Sequence, residues 1–279
     1  MRQLRLSLSP DTARYQAERD AEAMPPKAKA RPGLAQMAEA GETWQAEKLD
    51  ELCAAFGADR VVGARRLVEG RTHYDPAALS TLLARAEAPC FVVEGEFAVG
   101  ATFVDAMGAH GLCDAYGLDI SALRPDLVEL VPAGAFTQGI DARGALIPCD
   151  ADDPRVGLQV IDIKLTAEAN AGYFAEVTLY ALALAGWLED TGLARRFVVT
   201  PDPAVWPGAH EASQLTRTRA QLAREGMPPT WALLRAALEG DLEVCPFEAF
   251  AYRLRRFFAD DLPRALETPW RDLPWHVDN

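Results

Sequence analysis

Residues 158–165, LQVIDIKL, are an apolar run rich in β-branched side chains, and they carry two charges, Asp162 and Lys164, two positions apart. A run of this composition reads as a buried strand. Successive strand side chains alternate faces, so Asp162 and Lys164 project from one side while Ile161, Ile163 and Leu165 are expected to enter a core from the other. Ionised groups in so apolar a strand must be paired, or bind something, to offset their desolvation. Residues 172–189 follow as a long apolar helix, and RRFVVTP reads as a further strand. Strand, helix and strand again is the pattern this part of the chain suggests.

The 279 residues are enough to bury a sizeable core, and 49% apolar with 25% charged residues is ordinary for a globular chain. The net charge of −13 is not. It excludes a surface attractive to polyanions as a whole, so contact with nucleic acid requires a local basic patch or a bound cation. The cysteines, Cys53, Cys90, Cys113, Cys149 and Cys245, are scattered without CxxC or Cys/His spacing and read as reduced thiols of a cytoplasmic protein. No run of about 18 apolar residues suited to a bilayer is expected. The N-terminal residues show no long apolar leader region, so the expectation is a soluble, unexported protein with no membrane partner.

Along the chain, Ser9 and Pro10 open a predicted short helix that PPKAKARPG breaks. Residues 34–56 have helical periodicity, with Leu49, Leu52, Cys53 and Phe56 on one stripe and Gly57 as the stop. RVVGARRLVEG reads as a short strand pair, DPAALSTLLARAEA as a helix opened by Asp75 and Pro76, and CFVVEGEFAVG as a strand. Residues 100–122 read as loop, and residues 123–131 as a strand with Asp126, Val128 and Leu130 on one face. Residues 132–157 read as a long hairpin excursion with a minor strand at GALIP. The predicted fold class is α/β: a small mixed β-sheet flanked by helices, with an α-helical C-terminal lobe. The expected divisions are an N-terminal helix and linker (1–33), a core (34–205) and the helical lobe (206–279), which ends in an aromatic tail bearing Trp270 and Trp275.

The order read along the chain is helix, strand, strand, strand, helix, strand, with two acids and a lysine on its strands. With Pro125-Asp126 on one strand and Asp162-Ile163-Lys164 on the next, the chain resembles the PD-(D/E)XK nuclease superfamily over roughly residues 34–200. Glu176 to Tyr180 resembles the QxxxY element of its RecB-like branch, with Glu in place of Gln. The resemblance implies a restriction-endonuclease-like core and a Mg²⁺- or Mn²⁺-dependent nuclease that hydrolyses DNA. It further implies work in DNA processing or defence against foreign DNA, with other subunits as possible partners. It implies Asp126 and Asp162 as metal ligands with the Ile163 carbonyl as a third, and Lys164, Glu176 and Tyr180 as further catalytic residues.

A divalent cation held by one or two carboxylates neutralises the phosphate and activates water. Lys164 either deprotonates that water, which requires a depressed pKa, or stabilises developing charge, which requires only its positive charge. The second role is favoured. Glu176 and Tyr180, four apart on a helix, share a face. Asp141, in QGIDARG, competes with Asp126 for the first ligand position because related nucleases carry Gly-Ile-Asp there, and Asp126 is preferred for its Pro-Asp context.

The branch also places an acid or His on its first helix. At 100° per residue from Leu49, Gln45 and Glu42 fall inward and Glu47 outward, so an uncharged Gln45 occupies that place. A catalytically degenerate fold acting as a nucleic-acid- or protein-binding subunit is the alternative that Gln45, Glu176 and the acidity keep open. No iron–sulfur cluster is expected, since Cys245 stands alone. His73, His110, His210 and His276 lack ligand spacing, and neither GxSxG nor a phosphate-cradling Gly loop occurs. Arg195, Arg196, Arg255 and Arg256, with Arg253, Tyr252, Phe257 and Phe258 beside the latter pair, read either as a basic and aromatic grip on nucleic acid or as an amphipathic helix packing its rings, the second being somewhat favoured. Arg65 and Arg66 are equally ambiguous.

Overall fold

The long apolar strand forms where the sequence places it, and the rest of the sheet is assembled on it. A computed structural model describes residues 32–68, 71–116, 120, 122–208 and 213–268. The predicted helix after Ser9, the PPKAKARPG break up to residue 31, His210, His276 and the tail with Trp270 and Trp275 lie outside the described residues.

Helix α1 (Pro32–Phe56) starts two residues before its expected limit and ends at Gly57, whose φ of 94° only glycine adopts without strain. Strands β1 (Val61–Val62), β2 (Ala64–Val68), β3 (Arg71–Asp75) and β4 (Ala77–Ala78) follow, then the short helix α2 (Leu79–Leu83), β5 (Cys90–Val93) and β6 (Gly95–Glu96). Helices α3 (Ala101–Ala106) and α4 (His110–Tyr116) precede β7 (Leu127–Val131), the hairpin β8 (Gln138–Ile140) and β9 (Leu146–Pro148), and β10 (Val156–Lys164). Helix α5 (Ala171–Asp190) leads to β11 (Phe197–Val199) and β12 (Ala204–Pro207). Then come α6 (Gln214–Glu225), α7 (Trp231–Glu239), β13 (Glu243–Val244), α8 (Phe247–Arg256), a π-helical turn (Phe257–Asp261) and α9 (Leu262–Glu267).

The mixed sheet has nine strands. Its centre runs β5, β7, β10 with antiparallel pairing throughout, and β10 pairs in parallel with β11 along its first half and β12 along its second. Parallel pairing of β10 with β11 demands a crossover, which α5 supplies. Asn170 caps that helix by accepting from the backbone N–H groups of Gly172 and Tyr173, at 2.8 and 3.2 Å. Helices cover both faces. On one side α2, α3, α5, α8 and α9 bury Val128, Leu130, Leu158 and Val160. On the other α1, α6 and α7 bury Leu127, Ile161, Ile163, Phe91 and Trp206. Gly186 lets α3 approach α5, because a Cβ there would lie 2.9 Å from the Phe103 nitrogen. The described C-terminal residues are mostly helical, but instead of standing apart as a lobe their helices divide between the two faces of the core, and β13 joins the sheet through β12.

Several expectations are corrected. Leu165 lies beyond the end of β10 and is 53% exposed, outside the core. The strand pair expected over residues 60–70 splits, β1 joining the main sheet beside β5 while β2 turns back on β3. Asp75 ends β3 instead of opening a helix, since the residue before Pro76 is driven to extended backbone, and the helix shrinks to α2. The loop expected at 100–122 contains α3 and α4, each too short for helical periodicity to stand out between glycines. Strand β12 was not anticipated. Helix α5 is long and apolar enough by length and composition to cross a membrane, contrary to the sequence reading, but its apolar surface is spent on the sheet and on neighbouring helices.

Candidate functional site

The candidate site is a row of side chains across one end of the central strands. Asp126 immediately precedes β7, and Asp162 is near the end of β10, antiparallel to it. The register pairs Ile161 with Leu127 and Leu127 with Val93, so the next row outward is Asp162, Asp126 and Glu94. The Glu94 N–H donates to the Asp126 carbonyl at 3.1 Å, which closes the row on the β5 side. Asp126 Oδ2 accepts from the Ile163 N–H at 2.7 Å, so its side chain takes a ladder position against β10.

Lys164 lies two residues beyond Asp162 and reaches back, its Nζ 2.6 Å from Asp162 Oδ2 and 3.4 Å from Glu176 Oε2. Lys164 thus pairs directly with the buried Asp162 Oδ2. Tyr180, one turn after Glu176 on α5, donates its hydroxyl to Glu176 Oε1 at 3.1 Å. From α1, Gln45 Nε2 donates to Glu94 Oε1 at 2.6 Å and to Asp126 Oδ1 at 3.0 Å. Arg124 Nε approaches the other Glu94 oxygen at 2.9 Å. Thus Asp126, Asp162, Lys164, Glu176, Tyr180 and Gln45 are brought together by two strands and two helices.

Burial sets the electrostatics. It raises the carboxyl pKa values of Asp126 and Asp162, and the proximity of Asp126 adds to the rise at Asp162. Burial likewise raises that of Glu94, against the pull of Arg124. Burial opposes the charge on Lys164, but Asp162, Glu176 and Asp126 outweigh it and hold the ammonium above its ordinary range. Burial and Glu176 keep the Tyr180 hydroxyl protonated. The Lys164 ammonium is therefore held in its charged form. The donor set is hard oxygen in acid-rich surroundings, which matches Mg²⁺ or Mn²⁺ chemically. As placed, no three His, Cys, Asp or Glu side chains among the described residues enclose a metal position. The Gln45 amide bridges Glu94 and Asp126, and the Lys164 ammonium sits against Asp162.

Other candidates lie elsewhere. Asp141 closes the β8–β9 turn, its Oδ1 accepting from the N–H groups of Arg143 and Ala145 at 2.9 and 2.8 Å. Glu42 is exposed, not inward, on the wall of a cleft also lined by Gln45, Arg66, His73, Glu94 and Arg124. Arg195 and Arg196 are exposed beside the start of β10, where the Arg196 carbonyl accepts from Val156. Six residues of strand separate Val156 from Asp162, about 20 Å. Arg255 donates to the carbonyls of Arg143 and Gly144 at 3.2 and 2.6 Å, fastening α8 to the β8–β9 turn. Arg256 faces Asp260 at 3.6 Å, and Phe257 and Phe258 are buried, so this helix packs its rings. Of the two described histidines, His73 is in β3, and His110 opens α4 between Asp105 and Asp114.

Sequence reasoning missed Glu94. A charge inside CFVVEGEF, followed by glycine, was its signal. Its φ of 53° is the single positive value at a non-glycine residue among the described residues, and such strain clusters at functional sites. Comparison of the chain with protein-family models, with curated proteins and with solved structures found no match.

Proposed function

We propose that this protein is a Mg²⁺- or Mn²⁺-dependent nuclease of the PD-(D/E)XK kind, RecB-like, that hydrolyses DNA phosphodiester bonds in DNA processing or defence. The reading rests on the meeting of Asp126, Asp162 and Lys164 at one end of two paired strands, with Glu176 and Tyr180 reaching the same point from the crossover helix. The run α1, β5, β7, β10, α5, β11 supports a restriction-endonuclease-like core.

Asp126 and Asp162 would hold the cation, together with the Ile163 carbonyl. When bound, the cation neutralises the phosphate and lowers the pKa of the attacking water. Lys164 keeps its positive charge close to Asp162 and stabilises the charge that develops on the phosphoryl oxygens. Glu176, steadied by Tyr180, fixes Lys164 from the helix side. With a net charge of −13, the DNA must be held locally, and Arg66, His73 and Arg124 line the cleft beside the acids.

Single- and double-stranded DNA incubated with Mg²⁺ or Mn²⁺ tests this directly: cleavage by the wild type that is lost in Asp162→Ala and Lys164→Ala is the expected result. Equal, background-level activity in all three proteins overturns it. One observation favours a second reading, a degenerate fold that binds nucleic acid or protein without cutting: the first helix offers the Gln45 amide where an acid was expected, and that amide already satisfies two acids. DNA retention without cleavage under any divalent cation would select it.

A further inference from the structure

We infer that the cleft between helix α1 and the β2–β3 hairpin docks one phosphodiester strand of the nucleic acid, with Arg66 and Arg124 as its phosphate-binding residues. The inference deepens the nuclease reading and rests on it for the identity of the ligand.

Three observations carry it. First, the cleft adjoins the proposed site. Gln45 and Glu94 line it, and the same Gln45 amide donates to Asp126, while Arg66 and His73 line it from the hairpin. Its volume is about 300 Å³, room for a single chain of nucleotides and not for a duplex. Secondly, both arginines are held by one inner nitrogen. Arg66 Nε lies 2.7 Å from Asp75 Oδ1 and Arg124 Nε 2.9 Å from Glu94 Oε2, so a carboxylate orients each guanidinium and uses one of its three nitrogens. The terminal nitrogens of both keep their N–H groups for a ligand, in the planar fork that matches phosphate oxygens. Their side chains are 56% and 47% exposed, so a strand can reach them. Thirdly, the hairpin stands outside the main sheet, β2 and β3 pairing only with each other. Residues 64–75 carry three arginines against two acids in a chain of net charge −13, the local basic patch that a polyanion needs on so acidic a protein. The Tyr74 ring also lines the cleft, its hydroxyl 3.3 Å from Cys53 Sγ on α1, and offers a surface on which a base can stack.

The consequence is a preference for single strands. Fluorescence anisotropy of a labelled oligothymidylate of about 12 nucleotides, and of a duplex of the same length, tests it with a chelator present, so that binding is read without cutting. The wild type should bind the single strand more tightly than the duplex. Arg66→Ala should weaken single-strand binding by on the order of tenfold, the worth of one charge-assisted phosphate contact, and should reduce the slope of log affinity against log salt by about 0.7. Arg124→Ala should do the same. Arg65→Ala removes the same charge one residue away, outside the cleft, where Arg65 Nη2 donates to Thr72 Oγ1 at 3.3 Å, and should stay within about twofold of the wild type. Equal losses in Arg65→Ala and Arg66→Ala would reduce the cleft to diffuse surface charge and overturn the inference. Unchanged affinity in Arg66→Ala, or tighter binding of the duplex, overturns it as well, and cleavage by the wild type then leaves the nuclease reading standing. A wild type that neither binds DNA in chelator nor cuts it with Mg²⁺ or Mn²⁺ overturns both.

Discussion

Strands β7 and β10 carry two buried polar rows, three residues apart along the strands, and only one of them is balanced. In the inner row Glu129 pairs with Gln159 across the strands, and Arg235 from α7 serves both. Its Nε lies 2.7 Å from each Glu129 oxygen, and its Nη2 donates to Gln159 Oε1 at 2.8 Å. Gln159 then donates to the Asp202 carbonyl at 2.7 Å. In the outer row Glu94, Asp126 and Asp162 stand together, with Lys164 paired to Asp162 and the half-exposed Arg124 to Glu94. Burial costs both rows the same kind of desolvation. The inner row answers it with one guanidinium shared by an acid and an amide. The outer row leaves acid in excess, the charge that the proposed cation would have to balance.

The largest effect should come from breaking the balanced row. Arg235→Ala leaves Glu129, 2% exposed, without its partner, and should cost about 3–5 kcal/mol in denaturant unfolding. Replacing both, Glu129→Leu with Arg235→Met, should recover much of that loss, because a buried pair is costly mainly when halved. A single variant as stable as the wild type would remove the contrast between the rows. Asp162→Asn and Lys164→Met act on the other row. They should lower metal-dependent cleavage by about 10²–10³, the effect of removing one electrostatic stabiliser.

The outer row was legible only where neighbours in sequence carried it. Asp162 and Lys164 follow from strand alternation within one segment, and Gln45 from the 100° step of a helix. Helix α5 followed from an unbroken apolar run. Glu94 belongs to the site through the register of β5 on β7, a relation between segments that no local period encodes, and its φ of 53° takes it out of the strand pattern. Strand β12 is four residues long and ends in Pro207, below the length at which alternation is visible. Leu165 fails the alternation rule because β10 ends at Lys164, where the Gly208 N–H donates to the Lys164 carbonyl and the chain turns away. Arg255 looked free in sequence because backbone carbonyls, which it serves, leave no trace there.

Excess acid in the outer row also gives stability a pH dependence. A carboxyl whose folded pKa lies above its unfolded value keeps its proton longer in the folded state. Its contribution is most favourable below the unfolded value, about pH 4, and declines as pH rises toward the folded one. Asp126, Asp162 and Glu94 are all raised by burial, so metal-free stability should fall as pH climbs above about 4. Each pKa unit is worth about 1.4 kcal/mol, so Asp162→Asn should flatten the decline by on the order of 1–2 kcal/mol in unfolding curves collected across that range. A slope unchanged by Asp162→Asn but removed by Glu129→Gln would put the imbalance in the wrong row.

The smallest effect should come from the opposite end of β10. Arg195 and Arg196 are exposed there, and Arg196 lies 5.2 Å from the Phe197 ring centroid, a surface contact of little energy. The strand between Val156 and Asp162 keeps them about 20 Å from the outer row, more than two Debye lengths at physiological salt. The double variant Arg195→Ala with Arg196→Ala should therefore change stability by less than about 0.5 kcal/mol and leave DNA affinity and cleavage within about twofold. Arg124→Ala, at the acidic row itself, should exceed it in both. If the distal pair instead proved the stronger determinant of DNA affinity, with a shallower salt dependence in its absence, the DNA would run along the β11 end of the sheet, and the excess acid of the outer row would have to be explained without a nucleic-acid substrate.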